Sequence, residues 1–365
     1  RDYERGWHRG IAPAKEAVEK RYGDEIRSQT HKGVFTTGDF RELLARTDID
    51  AVTCATPDHW HALVVIAAAR AGKDIYCQKP MSHSIADGRA MVHAVKRYRR
   101  VFQCGSQRRS SSRCRRSCEL VRNARIGKLH TIHVGLPSGH SNPRPVRPSA
   151  RVMPIPKSLD YNRWLGPAPY APYTLDRCHF TFRWSLDYSG GQLTDWGAHF
   201  IDMAHWGMGM ELTGPLEVEG SGRWPDKGTL WNTATQFNIT CMYANGMKML
   251  IKNGGGVRFE GTEGRVDLEG GTHPASIGDS KIGPDELHLY ESRSQYSNFI
   301  DCVMSRKLTV APVEVAHRSI SPAHLGNISM ILGRKIKWDP DKEEIIGDPA
   351  ASALLGRSYR TPWTL

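Results

Sequence analysis

The 365 residues are 39% hydrophobic and 24% charged, with a formal net charge of +12. That balance excludes a disordered chain, and no run of about 18 apolar residues exists to form a membrane-spanning helix. Ten arginines fall between Arg97 and Arg125, but no helix-turn-helix, zinc-finger or aromatic RNA-binding signature accompanies them. A nucleic-acid partner is therefore not expected. The cluster reads either as a solvated basic helix or as a rim that attracts an anionic ligand.

In chain order, Lys15 to Tyr22 has helical spacing, and Asp39 is an N-cap for a short helix over Phe40 to Ala45. AVTCAT (51–56) is an apolar run that stops at Pro57, as a buried parallel strand does. A helix from His59 to Ala71 follows, closed by Gly72. DIYCQ (74–78) is the next strand, ended by Pro80. A helix over Ile85–Tyr98 leads to a third strand, Val101–Gln107. Strands alternating with helices predict a parallel sheet with right-handed crossovers.

After a helix over Ser112–Ala124 and a turn at Ile126-Gly127-Lys128, Leu129 to Leu136 reads as a strand. Ser138 to Pro156 reads as a long irregular connection, and Trp164-Leu165-Gly166-Pro167 re-enters ordered structure. From Leu216 to Leu268 strand-like runs alternate with Gly and Asn turns, as in FNITCMY and MKMLIK around Asn245-Gly246. These predict hairpins and an antiparallel sheet. The division expected is residues 1–135, a parallel α/β unit, and residues 136–365, an α+β unit.

In a parallel sheet ligands bind beyond the carboxyl ends of the strands. Those ends carry Pro57, Asp58, His59 and His61, then Gln78, Lys79 and Pro80, then Gly105, Ser106 and Gln107. Lys79, fixed between a strand end and a proline, can hydrogen-bond a substrate hydroxyl there, and it equally fits a solvated loop lysine. Further on, Ser189 to Trp206 reads SGGQLTDWGAHFIDMAHW. Asp195, His199 and Asp202 stand at i, i+4 and i+7, so all three can share one helical face. A carboxylate one turn from an imidazole is a proton-transfer pair. The same residues also fit a helix-terminal acid and a buried histidine. The eight cysteines form no CxxC pair and no Cys/His set with zinc-site spacing, so neither a metal nor a disulfide is expected.

ATPDHWH (55–61), CQKP (77–80), the GGxxxDWGxHxxD pattern and the ending HLGNISMILGRKIKWDPDKEEIIGD (324–348) together resemble the Gfo/Idh/MocA family. The resemblance runs from about residue 13 to the C-terminus. It implies an NAD(P)-dependent oxidoreductase acting on a sugar, cyclitol or glycoside hydroxyl. It also implies that Lys79, Asp195 and His199 are the catalytic set. Cofactor contacts are expected from Thr56, Pro57, His59, His61, Gln78, Lys79, Gln107 and Trp164. A dimer or tetramer formed through the open face of the second sheet is implied as well.

Two departures stand out. Gln78 occupies the position of a glutamate in the family's EKP motif. The opening strand and its GxGxxG turn are missing, so the first unit is expected to be an incomplete, N-terminally truncated Rossmann fold. A second reading, a non-catalytic sugar-binding relative, follows from the missing phosphate loop. The chain as written reads as cytoplasmic, and a lost leader would make it periplasmic.

Overall fold

A computed structural model describes residues 10–27, 33–140 and 150–365. Residues 141–149, within the expected irregular connection, lie outside it; residues 150–156 carry no helix or strand.

The first unit is a three-stranded parallel sheet, in the order β1 (Ala51–Cys54), β2 (Asp74–Cys77), β3 (Phe102–Cys104). The strands are short because each chemistry-bearing end turns away at once. The third was expected to reach Gln107, but it stops at Cys104, and Gln107 opens a 3-10 turn over Gln107–Ser110. All four residues of β2 are buried. The helices Asp58–Arg70 and Ile85–Arg97 cover the sheet, and their apolar faces build one core with Val65, Ile75, Met91 and Phe102. Ser84 caps the second helix by accepting from the Asp87 amide, and Asp39, the cap expected from the sequence, accepts from Arg41 N at the start of the helix Phe40–Leu44. The outer edge of β3 is sealed: Cys104 N donates to Ala311 O, and Thr309 Oγ1 donates to Phe102 O. Beyond β1 no strand pairs among the described residues.

The second unit is a nine-stranded sheet in the order β10-β9-β8-β4-β7-β6-β5-β11-β12. Its members are β4 (Leu129–Leu136), β5 (Glu217–Arg223), β6 (Gln236–Met242), β7 (Lys248–Asn253), β8 (Gly256–Gly261), β9 (Arg265–Asp267), β10 (Thr272–His273), β11 (Ile336–Asp339) and β12 (Glu344–Ile345). Pairing is antiparallel except between β4 and β7. The β6–β7 hairpin turns at Asn245-Gly246, where Gly246 has φ of 81°, as the Asn-Gly signal predicted. The division expected after residue 135 is corrected here. β4 lies inside the second sheet, between β8 and β7, so that unit already includes Leu129. Ile132, Val134 and Leu136 pack its core on one face, because alternation in a strand sends every second side chain inward.

Two helices join the units. Gly197–Met208 packs on the inner face of the large sheet, through Ile201, Met203 and Ala204. Val313–Leu332 starts in the first core with Val313 and Ala316 and ends in the second with Ile320, Leu325 and Ile328. The chain then returns to its beginning. Tyr359 and Trp363 pack on the first core, with the Trp363 ring 4.7 Å from that of Trp60. No described helix is long and apolar enough to cross a membrane.

Candidate active site

The ends of β1 and β2 are braced before any ligand is considered. His61, in the first turn of its helix, holds its ring nitrogens 2.9 Å from Pro80 O and 2.9 Å from Thr56 O. It thereby ties together the turns that follow the two strands. His59 Nε2 lies 3.0 Å from Trp164 O, and Trp60 Nε1 donates to the same carbonyl. Both histidines are 1% exposed, and burial pushes His59 down to about 3. The expectation that His59 and His61 contact a cofactor is therefore corrected: they are buried braces with no surface to offer. Trp164 plays a similar part. Its ring stacks on Tyr161 and meets Tyr188 and His59 edge-on, away from the cavity described below.

The double glycine delivers the other half of the site. Gly191 has φ of +72°, and a Cβ there would come within 2.7 Å of Thr233, so only glycine fits. Ser189 Oγ donates to the buried carboxylate of Asp58, joining this turn to the end of β1. Burial raises the Asp58 carboxyl above its ordinary value, against the pull of His61 and Ser189. From Gly191 the chain makes the short helix Gln192–Asp195, passes Trp196, and continues as Gly197–Met208. Asp195 and His199 are thus one helical turn apart, as the spacing predicted.

Lys79 and Asp195 meet across the junction. Lys79 Nζ donates to Asp195 Oδ1 at 2.6 Å and to Asp195 O at 3.0 Å. An ammonium has three donors, so one remains for a ligand. Arg183 Nε lies 3.4 Å from the same carboxylate oxygen, its guanidinium held over Phe180 and Phe182. Burial raises the Asp195 carboxyl, but Lys79 and Arg183 outweigh it, and it ends below the ordinary carboxylate value. His199 goes the other way. Burial, with Lys79 adding, pushes its imidazole down to about 4, against the attraction of Asp195. His199 is therefore neutral near pH 7, and its Nδ1 is buried without a partner.

Lys79, Asp195 and His199 line one cavity of about 690 Å³, together with Gln107, Arg108, Ser111, Phe180, Arg183, Trp196 and Glu269. Thr56 is exposed and Pro57 and Gln78 half-exposed at the adjoining strand ends. Gln78 packs against Gly105, where a Cβ would lie 2.6 Å from its Oε1. Asp202, on the helical face with Asp195 and His199, points elsewhere: Arg109 and Ser319 saturate it in the interior. Arg108 and Arg183 were not singled out as site residues. Arg108 belongs to the basic cluster, and its pairing with Glu269 and Phe200 places it on the rim. Arg183 lies in a 3-10 segment, His179–Trp184, with no periodic signal to reveal it.

Amide and ammonium donors at parallel strand ends fit the carboxamide and ribose hydroxyls of a nicotinamide nucleotide. No GxGxxG turn exists in the chain to hold the pyrophosphate. The residues present therefore match the nicotinamide end of the cofactor.

Comparison with known proteins bears on the family. Residues 10–106 match the model of an oxidoreductase family's NAD-binding Rossmann fold, and residues 146–365 match the C-terminal alpha/beta domain of the same family. The chain is 27% identical to the uncharacterized oxidoreductase YrbE of Bacillus subtilis over 257 residues, 70% of this chain and 62% of that protein. It is 28% identical to myo-inositol 2-dehydrogenase of Thermotoga maritima over 174 residues, 48% of this chain and 40% of that protein. The matches therefore span less than two thirds of either relative. Among solved structures, the aldose-aldose oxidoreductase of Caulobacter crescentus complexed with glycerol superposes with a TM-score of 0.60 at 18% identity, covering 90% of this chain and 89% of that one. GenD2 from gentamicin A biosynthesis, in complex with NAD, gives 0.63 at 17% identity, covering 90% and 87%. With both units matched in sequence and the two-sheet architecture shared, this chain belongs to the Gfo/Idh/MocA family of oxidoreductases.

Proposed function

We propose that the protein interconverts a secondary hydroxyl and a ketone on a sugar or cyclitol, using a nicotinamide cofactor. The observation that carries this reading is the convergence of Lys79, Asp195 and His199, from two separate units, on one cavity at the strand ends. Gln78, Lys79 and Gln107 would hold the nicotinamide and its ribose, with Thr56 and Pro57 flanking them. The bound cofactor supplies the hydride acceptor or donor.

The remaining work falls to the chain. The free N–H of Lys79 positions the reacting oxygen of the substrate and stabilises negative charge on it. Asp195 fixes the ammonium in place through its 2.6 Å contact. His199, neutral and one turn from Asp195, takes the hydroxyl proton in oxidation and returns it in reduction. Lys79, Arg108 and Arg183 outnumber the two carboxylates of the cavity, Asp195 and Glu269. That balance favours a polyhydroxylated substrate that is neutral or bears a carboxylate.

We place a second copy of the chain against the outer face of the large sheet, where Thr240, Leu250 and Arg258 are half-exposed. Sedimentation of the purified protein checks that arrangement.

The catalytic reading is tested by titrating NADH and NADPH against nicotinamide fluorescence and by following nicotinamide reduction with myo-inositol, aldoses and aldonic acids. Saturable binding and turnover with at least one of these polyols are expected. Binding of neither dinucleotide would replace this reading with a non-catalytic, sugar-binding one.

A further inference from the structure

Beneath the strand ends lies a group of side chains that the proposed reaction does not use. Cys54 is the last residue of β1 and Cys77 the last of β2, and the two are in-register partners of the parallel pair. In-register partners leave a sheet on the same face. The helix Asp58–Arg70 lowers His61 onto that face from above. One ligand-type atom from each of Cys54, His61 and Cys77 lies within 4.8 Å of the others. The three residues are 1%, 1% and 0% exposed. The spacing, Cys-x6-His-x15-Cys, matches no motif; strand pairing alone creates the cluster.

The histidine adds a second observation. Both of its ring nitrogens are 2.9 Å from backbone carbonyl oxygens. A neutral imidazole has one N–H, so it satisfies one carbonyl and turns a lone pair on the other. An Nδ1–H donated to a backbone carbonyl, with the Nε2 lone pair free, is the arrangement that orients a metal-binding histidine. Here Nδ1 faces Pro80 O, and Nε2 faces the side where Thr56 approaches Cys54, its Oγ1 3.5 Å from Cys54 Sγ.

We propose that Cys54, His61 and Cys77 bind a zinc ion, with an oxygen of Thr56 as the fourth ligand. Zinc takes sulfur at about 2.3 Å and nitrogen at about 2.0–2.1 Å, which sets tetrahedral ligand atoms about 3.5–3.8 Å apart. The ligand atoms, within 4.8 Å of one another, close by up to about 1 Å to reach that spacing. Charge also favours the ion: two thiolates and Zn²⁺ cancel, leaving no net charge in a core that would penalise one. The cysteine and histidine ligands are buried, so its role is structural. It clamps the turn carrying Thr56 and Pro57 to the turn carrying Lys79.

The test is metal analysis of the whole chain, produced in zinc-supplemented medium without a metal-affinity tag, followed by exchange into cobalt. About one zinc per chain is expected, together with a thiolate-to-cobalt charge-transfer band and a melting temperature that falls when a chelator strips the ion. Cys54→Ser and Cys77→Ser should each lose the band, while Cys302→Ser, a buried cysteine elsewhere, should keep it. If the first two variants do not fold, the wild-type cobalt spectrum decides alone. Substoichiometric zinc in folded wild-type protein with zinc in excess would overturn the proposal. A cobalt spectrum without a sulfur band, or one that survives in Cys54→Ser and Cys77→Ser, would overturn it equally.

Discussion

Two cation–aspartate pairs cross the junction between the sheets, about two helical turns apart along one segment. Arg109 and Asp202 are 3% and 1% exposed; Lys79 and Asp195 are 19% and 13% exposed. The contact distances hardly differ, 2.8 Å against 2.6 Å. What differs is saturation. Asp202 accepts from two nitrogens of Arg109 and from Ser319, and Arg109 spends another nitrogen on Glu211 while lying over the Trp206 ring. Nothing remains there for a ligand. Lys79 keeps one donor, and its pair opens on a cavity. The same pairing of charges is structural where every donor is used and available for chemistry where one is left over.

The largest effects that would break this comparison are in turnover. Lys79→Ala and His199→Ala should each lower kcat by about 10²–10⁴-fold, with melting temperature nearly unchanged. Wild-type rates in both variants would remove the open pair from the chemistry. Next comes Arg109→Ala, which strands the Asp202 charge in the interior. It should cost about 3–5 kcal/mol of stability, read from the urea midpoint. A loss below about 1 kcal/mol would mean that the sealed pair is not as buried as the structure has it.

Acid sharpens the contrast. Burial holds His59 at about 3 and His205 and His324 at about 4, against an ordinary value of 6.5. Below about pH 6.5 the unfolded chain binds protons that the folded chain refuses, so stability falls as pH drops from 6.5 towards 4. Each of these histidines contributes at most about 1.4 kcal/mol per pH unit in that window. Urea unfolding from pH 7 to pH 5 should show the decline; a flat profile would contradict the burial. His199, also held near 4, should leave kcat/KM without a histidine limb near pH 6.5. The smallest effect expected is that of Arg183→Ala, which removes one flank of Asp195. It should raise KM about tenfold and leave unfolding unchanged.

The sequence made Lys79, Asp195 and His199 legible as candidates because each sits on a local signal. Lys79 follows a strand and precedes a proline, and Asp195 and His199 stand one helical turn apart. Strand alternation also revealed β4 with its bounds intact. Its place was not legible. A strand between the parallel β7 and the antiparallel β8 is fixed by pairing partners more than a hundred residues away, and no window of sequence contains that choice. His59 and His61 were misread for the same reason. Their position at the strand ends was correct, but whether an imidazole faces a cleft or a carbonyl depends on Trp164 and Pro80. Arg183 had no periodicity to announce it, and the meeting of Cys54 with Cys77 needed the register of two strands.

The return of the final residues to the first core bears on how the polypeptide is made. Tyr359 donates to Asp87, Arg357 donates to the carbonyls of His59 and Asp187, and Trp363 stands against Trp60. A chain emerging from the ribosome cannot close its early α/β layer until translation has passed residue 363. Until then the indole of Trp60, which also meets Phe40 and Gly166, lacks its Trp363 partner and leaves that side as a surface for chaperones to hold. A stop codon a few positions before residue 357 would damage a layer translated long before it.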